Sequence, residues 1–230
     1  MRWAWRLAPV LQVLVVVLGA SCRATAQAEP ARTYVAIGAS DSVGVGADDP
    51  VTQGWVPRFA GRLGPDVQVV NLGVSGSTLA QALDEQLGPA VDAQPSVVTV
   101  WLAVNDLNAR VPLDRYAADL DTLLGQLEAT HARVLVGNVP DLSGLAVYRG
   151  IDPGPLRAEV DRWNAAIAAS AAKHGAVLVD LFGPVGREVA DHPEYVSPDG
   201  FHPSSGGYQR LADVFGQALT DAEARANARP

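Results

Sequence analysis

Short apolar runs recur along this chain, and each stops at a glycine or a polar cluster. Thr33 to Ile37 (TYVAI) ends at Gly38, and Val67 to Leu72 (VQVVNL) ends at Gly73. Val97 to Leu102 (VVTVWL) precedes Asn105-Asp106. Arg133 to Val136 (RVLV) ends at Gly137, and Ala176 to Leu181 (AVLVDL) ends at Phe182-Gly183. Such short valine-rich runs predict strands buried on both faces. A helical period fills the segments between them. Tyr116, Leu120, Leu123, Leu124 and Leu127 form one apolar stripe, and Val160, Trp163 and Ile167 form another. His174-Gly175 reads as the end of that second helix, with a cation-capable side chain near the C-terminus and glycine at the cap. Gly54 to Leu63, Thr78 to Leu87 and Ser205 to Ala218 are further helix candidates. Strands alternating with helices predict an α/β chain, a three-layer α/β/α sandwich around a five-stranded parallel sheet. Right-handed crossovers then bring all strand C-termini to one edge, where ligands bind in open sheets.

The first thirty residues break this alternation. Arg2 and Arg6 precede an apolar run from Leu7 to Ala20, interrupted only by Pro9 and Gln12, and small and polar residues follow. That order predicts a secretory signal over residues 1–28. The run is about 14 residues, short of the roughly 20 that span a bilayer as a helix. It has no amphipathic period, which disfavours a buried N-terminal helix. Ala24-Thr25-Ala26 and Ala26-Gln27-Ala28 both resemble cleavage sites, which puts cleavage near 26–28. Cys22 after Gly19-Ala20-Ser21 is a lipoprotein-type alternative, although Gly19 stands where that box usually carries leucine. A secreted or periplasmic protein is the favoured expectation, and a lipid anchor at Cys22 the second. The mature chain then has no membrane span, its domain covers 29–220, and the polar tail 221–230 is expected to fray.

Composition narrows the function. An apolar fraction of 48% and a charged fraction of 18% exclude disorder as the main state. Lys plus Arg is 17 against 25 Asp plus Glu, so sequence-blind binding to nucleic acid lacks its positive charge. The single cysteine excludes an internal disulfide and multi-cysteine zinc sites. His131, His174, His192 and His202 show no metal-ligand spacing, and no metal or cofactor is expected. His192 is a candidate for lining a pocket. Trp101 reads as core. Pro140 to Pro155 reads as a long loop, in which Tyr148 and the apolar residues either border a pocket or lie on the surface.

Four polar clusters fall at or near the ends of the runs or in the last loop. They are Gly38-Ala39-Ser40-Asp41-Ser42, Asn71-Leu72-Gly73, Asn105-Asp106 and Asp199-Gly200-Phe201-His202-Pro203. A parallel sheet would bring them to one edge. YVAIGASDSVGVG, VVNLGVSG, VWLAVNDLN and DGFHP resemble, in order, the four blocks of the SGNH hydrolase superfamily, the GDSL-type esterases and lipases. The blocks span Tyr34 to Pro203. The resemblance implies a flavodoxin-like SGNH hydrolase fold and a serine esterase that needs no cofactor. It makes Ser40 the nucleophile, His202 its base, and Asp199 the group that holds the imidazole's tautomer. It assigns the oxyanion hole to the N–H groups of Ser40 and Gly73 and to the Asn105 side-chain amide.

The chain departs from the family pattern twice. Ala39 replaces the usual Asp before the serine, and Ala103 replaces the glycine of G-x-N-D. Ser42 is a rival nucleophile, because Asp41-Ser42 keeps a literal D-S pair and Gly46 follows it by four. Ser40 is favoured because it stands two residues after the glycine that ends the run. Asp106 is assigned to structure as a helix N-cap, and Ser42 to bonding local backbone. Asn71 alone could satisfy turn backbone. The expected substrate is a small-molecule, glycan or lipid ester. An O-acyltransferase acting on glycans is the first alternative, and a non-enzymatic binding domain the second. A histidine base predicts a rate that falls in acid, and a flat profile from about pH 5 to 8 would count against it.

Overall fold

The structure is a computed structural model that describes residues 32–228. The expected leader, its cleavage sites and Cys22 lie outside the described residues. Strand β1 (Thr33–Gly38) is followed by α1 (Ser40–Val43), α2 (Pro50–Gln53) and α3 (Trp55–Leu63). Strand β2 (Gln68–Asn71) leads to α4 (Leu79–Glu85) and α5 (Leu87–Asp92). Strand β3 (Val97–Trp101) leads to α6 (Val104–Asn108) and α7 (Leu113–Glu128). Strand β4 (Arg133–Gly137) leads, through 3-10 turns at Leu142–Gly144 and Ala146–Tyr148, to α8 (Pro153–Lys173). Strand β5 (Val177–Val179) leads to α9 (Pro184–Asp191), a 3-10 turn at Pro193–Tyr195, and α10 (Ser205–Asn227).

The five strands form one parallel sheet in the order β2-β1-β3-β4-β5. The chain leaves β1 for one edge and then crosses back to β3. That reversal opens a crevice at the carboxyl ends of β1 and β3, where open α/β sheets place their ligands. Side chains alternate across the sheet. Val35, Ile37, Val98 and Val100 pack with Leu120, Leu124 and Trp163 on one face. Tyr34, Ala36, Trp101 and Leu135 pack with Phe59 and Phe215 on the other. The first layer is mostly aliphatic, with Tyr116 against Trp163 at a ring-centroid distance of 4.6 Å. The second is aromatic, with Trp55 stacked on Phe215 at 4.6 Å. Within it the buried Tyr34 hydroxyl pairs with Thr99 Oγ1 at 2.8 Å, so neither polar group is left unsatisfied.

Three expectations from the pattern need correction. Burial on both faces holds for β1, β3 and β4, but β2 and β5 are edge strands, and Val69 of β2 is 45% exposed. An apolar run does not reveal whether a strand has one neighbour or two. The helix expected from Thr78 to Leu87 is two helices. Thr78 caps α4 in a capping box with Gln81. Pro89 has no N–H to give the carbonyl four residues back, so the chain restarts as α5. The tail expected to fray from residue 221 is helical to Asn227. Its alanines favour helix, and Gln217 bonds Asp221 at 2.8 Å one turn on. Among the described residues, no helix is long and apolar enough to cross a membrane.

Candidate active site

The end of β1 is tied down before the chain turns. The Gln86 side chain accepts from the Gly38 N–H (2.9 Å) and donates to the Gly38 carbonyl (3.0 Å) and to Ser77 Oγ (3.2 Å). A Cβ on Gly38 would lie 2.0 Å from Ser42 Oγ, so the turn has room only for glycine. Ala39 follows in the apolar core, and the polar tie between loops at this point comes from Gln86. Ser40 then opens α1.

Ser40 Oγ lies 2.9 Å from His202 Nε2. His202 Nδ1 lies 2.7 Å from Asp199 Oδ2. The other Asp199 oxygen accepts from the N–H groups of Phe201 (2.8 Å) and His202 (2.9 Å). Burial pushes the Asp199 carboxyl up, but the hydrogen bonds from the His202 ring and from those two N–H groups outweigh it. The group is held well below the usual carboxylate range. The loop carrying the pair is closed by a bridge between Val196 and Pro203 and by the Ser197 N–H on the His202 carbonyl (2.8 Å). Gly200 at its tip has φ +73°, and a Cβ there would meet Ala146 Cβ at 2.7 Å. A serine hydroxyl facing an imidazole that a carboxylate orients can lose its proton as it attacks.

The oxyanion candidates are placed less uniformly. Among the described residues no acceptor takes the Ser40 N–H. Asn105 shares a cleft with Ser40, and its amide donates one hydrogen to the Ser77 carbonyl (2.9 Å), leaving the second free. Gly73 packs against the turn that carries Ser40 and Ser42, where a Cβ would lie 2.6 Å from Ser42 Cβ. Its N–H, however, donates to Asn71 Oδ1 at 3.1 Å. Asn71 thus satisfies turn backbone, and it also donates to the Ser42 carbonyl (2.6 Å). Ala103 takes φ +79°, ψ −46°, with the Val104 N–H on the Leu102 carbonyl at 3.1 Å. This γ-turn is one that alanine adopts only under strain. It aims Asn105 while keeping the backbone path a glycine would take.

Two assignments change. Ser42 does not bond local backbone. It is 2% exposed, and its Oγ has no partner among the described residues, because it is wedged between Gly38 and Gly73. Nor is Asp106 the N-cap of its own helix. Ala103 holds that position, and the Asp106 carboxyl accepts from the Leu79 N–H, 27 residues away (3.0 and 3.2 Å). Burial pushes Asp106 up to about 6, against that hydrogen bond.

Beside the Ser40 cleft lies an apolar cavity of about 70 Å³, lined by Trp101, Val104, Leu142, Leu145, Val189 and Phe201 among others. It shares Asp41, Trp101, Val104 and Phe201 with the cleft at Ser40. The 140–155 loop therefore borders it through Leu142 and Leu145. Tyr148 packs on Phe201 at 6.4 Å between ring centroids and donates to Asn108 Oδ1 (2.8 Å). Trp101 is buried, with Nε1 donating to the Asn138 carbonyl (3.2 Å). His192 is exposed on Glu194 (2.9 Å) and Tyr195 and does not line the cavity. Among the described residues no group of His, Cys, Asp and Glu could hold a metal ion. The residues that sequence reasoning passed over are Gln86 and Asp41. The signal for Asp41 was an acid just after the serine, where the GDSL signature itself spells leucine.

The five-stranded parallel sheet with helices on both faces is the α/β fold of SGNH hydrolase structures. Residues 36–210 match the GDSL-like lipase/acylhydrolase family, and the chain belongs to that family, as a carboxylic ester hydrolase. An acetylxylan esterase of Geobacillus stearothermophilus is 23% identical over 157 residues, 65% of this chain and 70% of that protein. The crystal structure of TesA superposes with a TM-score of 0.69 at 25% identity, covering 83% of this chain and 99% of that one. That of Axe2, an acetylxylan esterase from Geobacillus stearothermophilus, superposes with a TM-score of 0.68 at 19% identity, covering 82% and 94%. The last of these likenesses is one of fold.

Proposed function

We propose that this protein is an exported serine esterase that cleaves carboxylic esters through an acyl-enzyme on Ser40. The observation that carries the reading is the 2.9 Å approach of Ser40 Oγ to a histidine whose other nitrogen meets Asp199. Ser40 Oγ attacks the ester carbonyl as His202 Nε2 takes its proton. The Ser40 N–H and the free Asn105 hydrogen receive the oxyanion, and the Gly73 N–H joins them when it exchanges Asn71 Oδ1 for it. Collapse expels the alcohol, protonated by His202. Water then attacks the acyl-enzyme, gives its proton to the same nitrogen, and releases the acid. Export rests on the charged, apolar and small-residue order of residues 1–28.

The apolar cavity beside Ser40 suits an acyl group longer than acetyl. The names of the acetylxylan esterase relatives support a second reading, acetyl esters of glycans, with transfer to a glycan acceptor as its variant. A p-nitrophenyl ester series from acetate to palmitate, run beside acetylated xylo-oligosaccharides, separates them. The first reading expects an optimum above acetate, with activity lost in Ser40→Ala and kept in Ser42→Ala. Equal rates in wild type and Ser40→Ala would overturn the serine mechanism. Acetylated glycan in place of free acetate would establish transfer.

A further inference from the structure

Asp41 adjoins the nucleophile on α1, and the bonds of the Ser42 and Val43 N–H groups to the Ala39 carbonyl (3.0 and 3.2 Å) fix that turn. Its half-buried side chain borders both the Ser40 cleft and the apolar cavity, beside Trp101, Val104 and Phe201. No side chain of another described residue donates to its carboxylate. The remaining charged groups of the cavity are already matched. Asp141 is taken by Arg157 (2.9 Å) and Ser143 (2.6 Å), and Arg210 by Glu188 in a two-point pair (2.6 and 2.7 Å). On α10, Tyr208 stays neutral and donates to the Val45 carbonyl (2.6 Å), its phenol pushed up by burial and by Asp41 and Asp199. The chain neighbour of Asp41, Ser40, holds His202 Nε2 at 2.9 Å, so a charge on that ring forms next to the α1 turn; from the loop before α10 the His202 charge favours ionised Asp41 and the Asp199 charge opposes it.

We propose that Asp41 is a positioning residue that acts through His202, stabilising with Asp199 the imidazolium formed during ester cleavage. The inference rests on His202 being the base, as proposed above. An unpaired carboxylate among apolar side chains is costly in the ground state. Among the described residues the cation that lines the cavity, Arg210, is engaged by Glu188, and a cation next to Ser40 is created when His202 takes its proton. The charge is therefore better matched in the transition state than before it, the condition for faster chemistry. Burial pushes Asp41 up to about 6, so in mild acid it takes a proton itself and withdraws this support. Two coupled groups then titrate as one pair.

The test is the pH profile of kcat/KM on a soluble p-nitrophenyl ester for wild type and Asp41→Asn, with folding checked by thermal melting. Ring-proton NMR titration of His202 accompanies it, assigned with His202→Gln. Wild type is expected to lose activity in acid with a logarithmic slope that exceeds one over about one pH unit, where Asp41 also takes a proton, before it returns to one. Asp41→Asn should have a slope of one, a plateau lower by roughly tenfold in kcat with little change in KM, and a His202 titration moved to lower pH. A folded Asp41→Asn with the wild-type slope and an unmoved His202 titration would overturn the proposal, even if its plateau fell. If wild type cleaves no ester, the esterase reading fails separately, and the NMR titration still decides the coupling.

Discussion

Three histidines among the described residues sit against carboxylates, and in two of them, His174 and His202, the partner of the second ring nitrogen gives opposite properties. His174 closes α8 with Nδ1 on Glu128 (3.0 Å) and Nε2 on Asp121 (2.8 Å), and Lys173 grips the same Asp121 at 2.7 and 2.8 Å. Hydrogen bonds to Glu128 and then to Asp121 raise its pKa. With an acid on each nitrogen its protonated form is favoured, and in that form it has no lone pair to offer. His202 has an acid on one nitrogen, Asp199 at 2.7 Å, and the Ser40 hydroxyl on the other at 2.9 Å. The acid sets the tautomer and the hydroxyl meets the remaining lone pair. A neighbouring carboxylate is thus common to the His174 clamp and to the base proposed at His202, and the partner of the far nitrogen separates them.

That contrast breaks most visibly in activity. Ser40→Ala and His202→Ala should each lower kcat by about 10⁴ or more, while His174→Gln leaves kcat/KM within about twofold. Steady-state kinetics on a p-nitrophenyl ester checks this, and equal losses at the two histidines would erase the distinction. Next in size, Asn105→Ala should cost about 10² to 10³ in kcat with a small change in KM. A loss confined to KM would remove Asn105 from the oxyanion hole. Gln86→Ala strands the Gly38 N–H and carbonyl and should lower unfolding free energy by about 1–3 kcal/mol, read by urea denaturation. It asks how far the His202 side depends on a tie 48 residues from Gly38. The smallest effect belongs to the clamp. His174→Gln should cost under about 1 kcal/mol, since the carboxylates it bonds are partly exposed. The folded-state pKa is raised, so the lost stability is fully present below the unfolded value of 6.5 and vanishes as pH rises through the folded one. Urea midpoints of the two proteins should differ in mild acid and converge in alkali.

Much of this was legible in the chain because it is local or periodic. The Tyr116-to-Leu127 stripe is the buried face of α7, and β1, β3 and β4 lie where the valine runs stand. Asp199 and His202 are three residues apart, close enough for one turn to join them. The edge positions of β2 and β5 were not legible, because exposure there depends on which strands pair. Nor was the reach of Asp106 to Leu79, or the hold of Asn71 on the Gly73 N–H. Glycine at 103 would have been the expected residue, and only the backbone shows that alanine bears the strained turn itself.

By itself, the sequence determined the alternation of strands and helices, the parallel sheet, and the turns at whose ends polar side chains collect. Those follow from apolar period, glycine and short-range hydrogen bonding, which act over a few residues. Only the tertiary structure decided that Ser40 meets His202 across 162 residues while Ser42 is sealed beneath it. It also decided that Asp41 borders an apolar cavity with no ion pair to another described residue, while Arg210 of the same cavity is engaged by Glu188. Both outcomes depend on which surfaces the sheet order brings together, and no local preference carries that information.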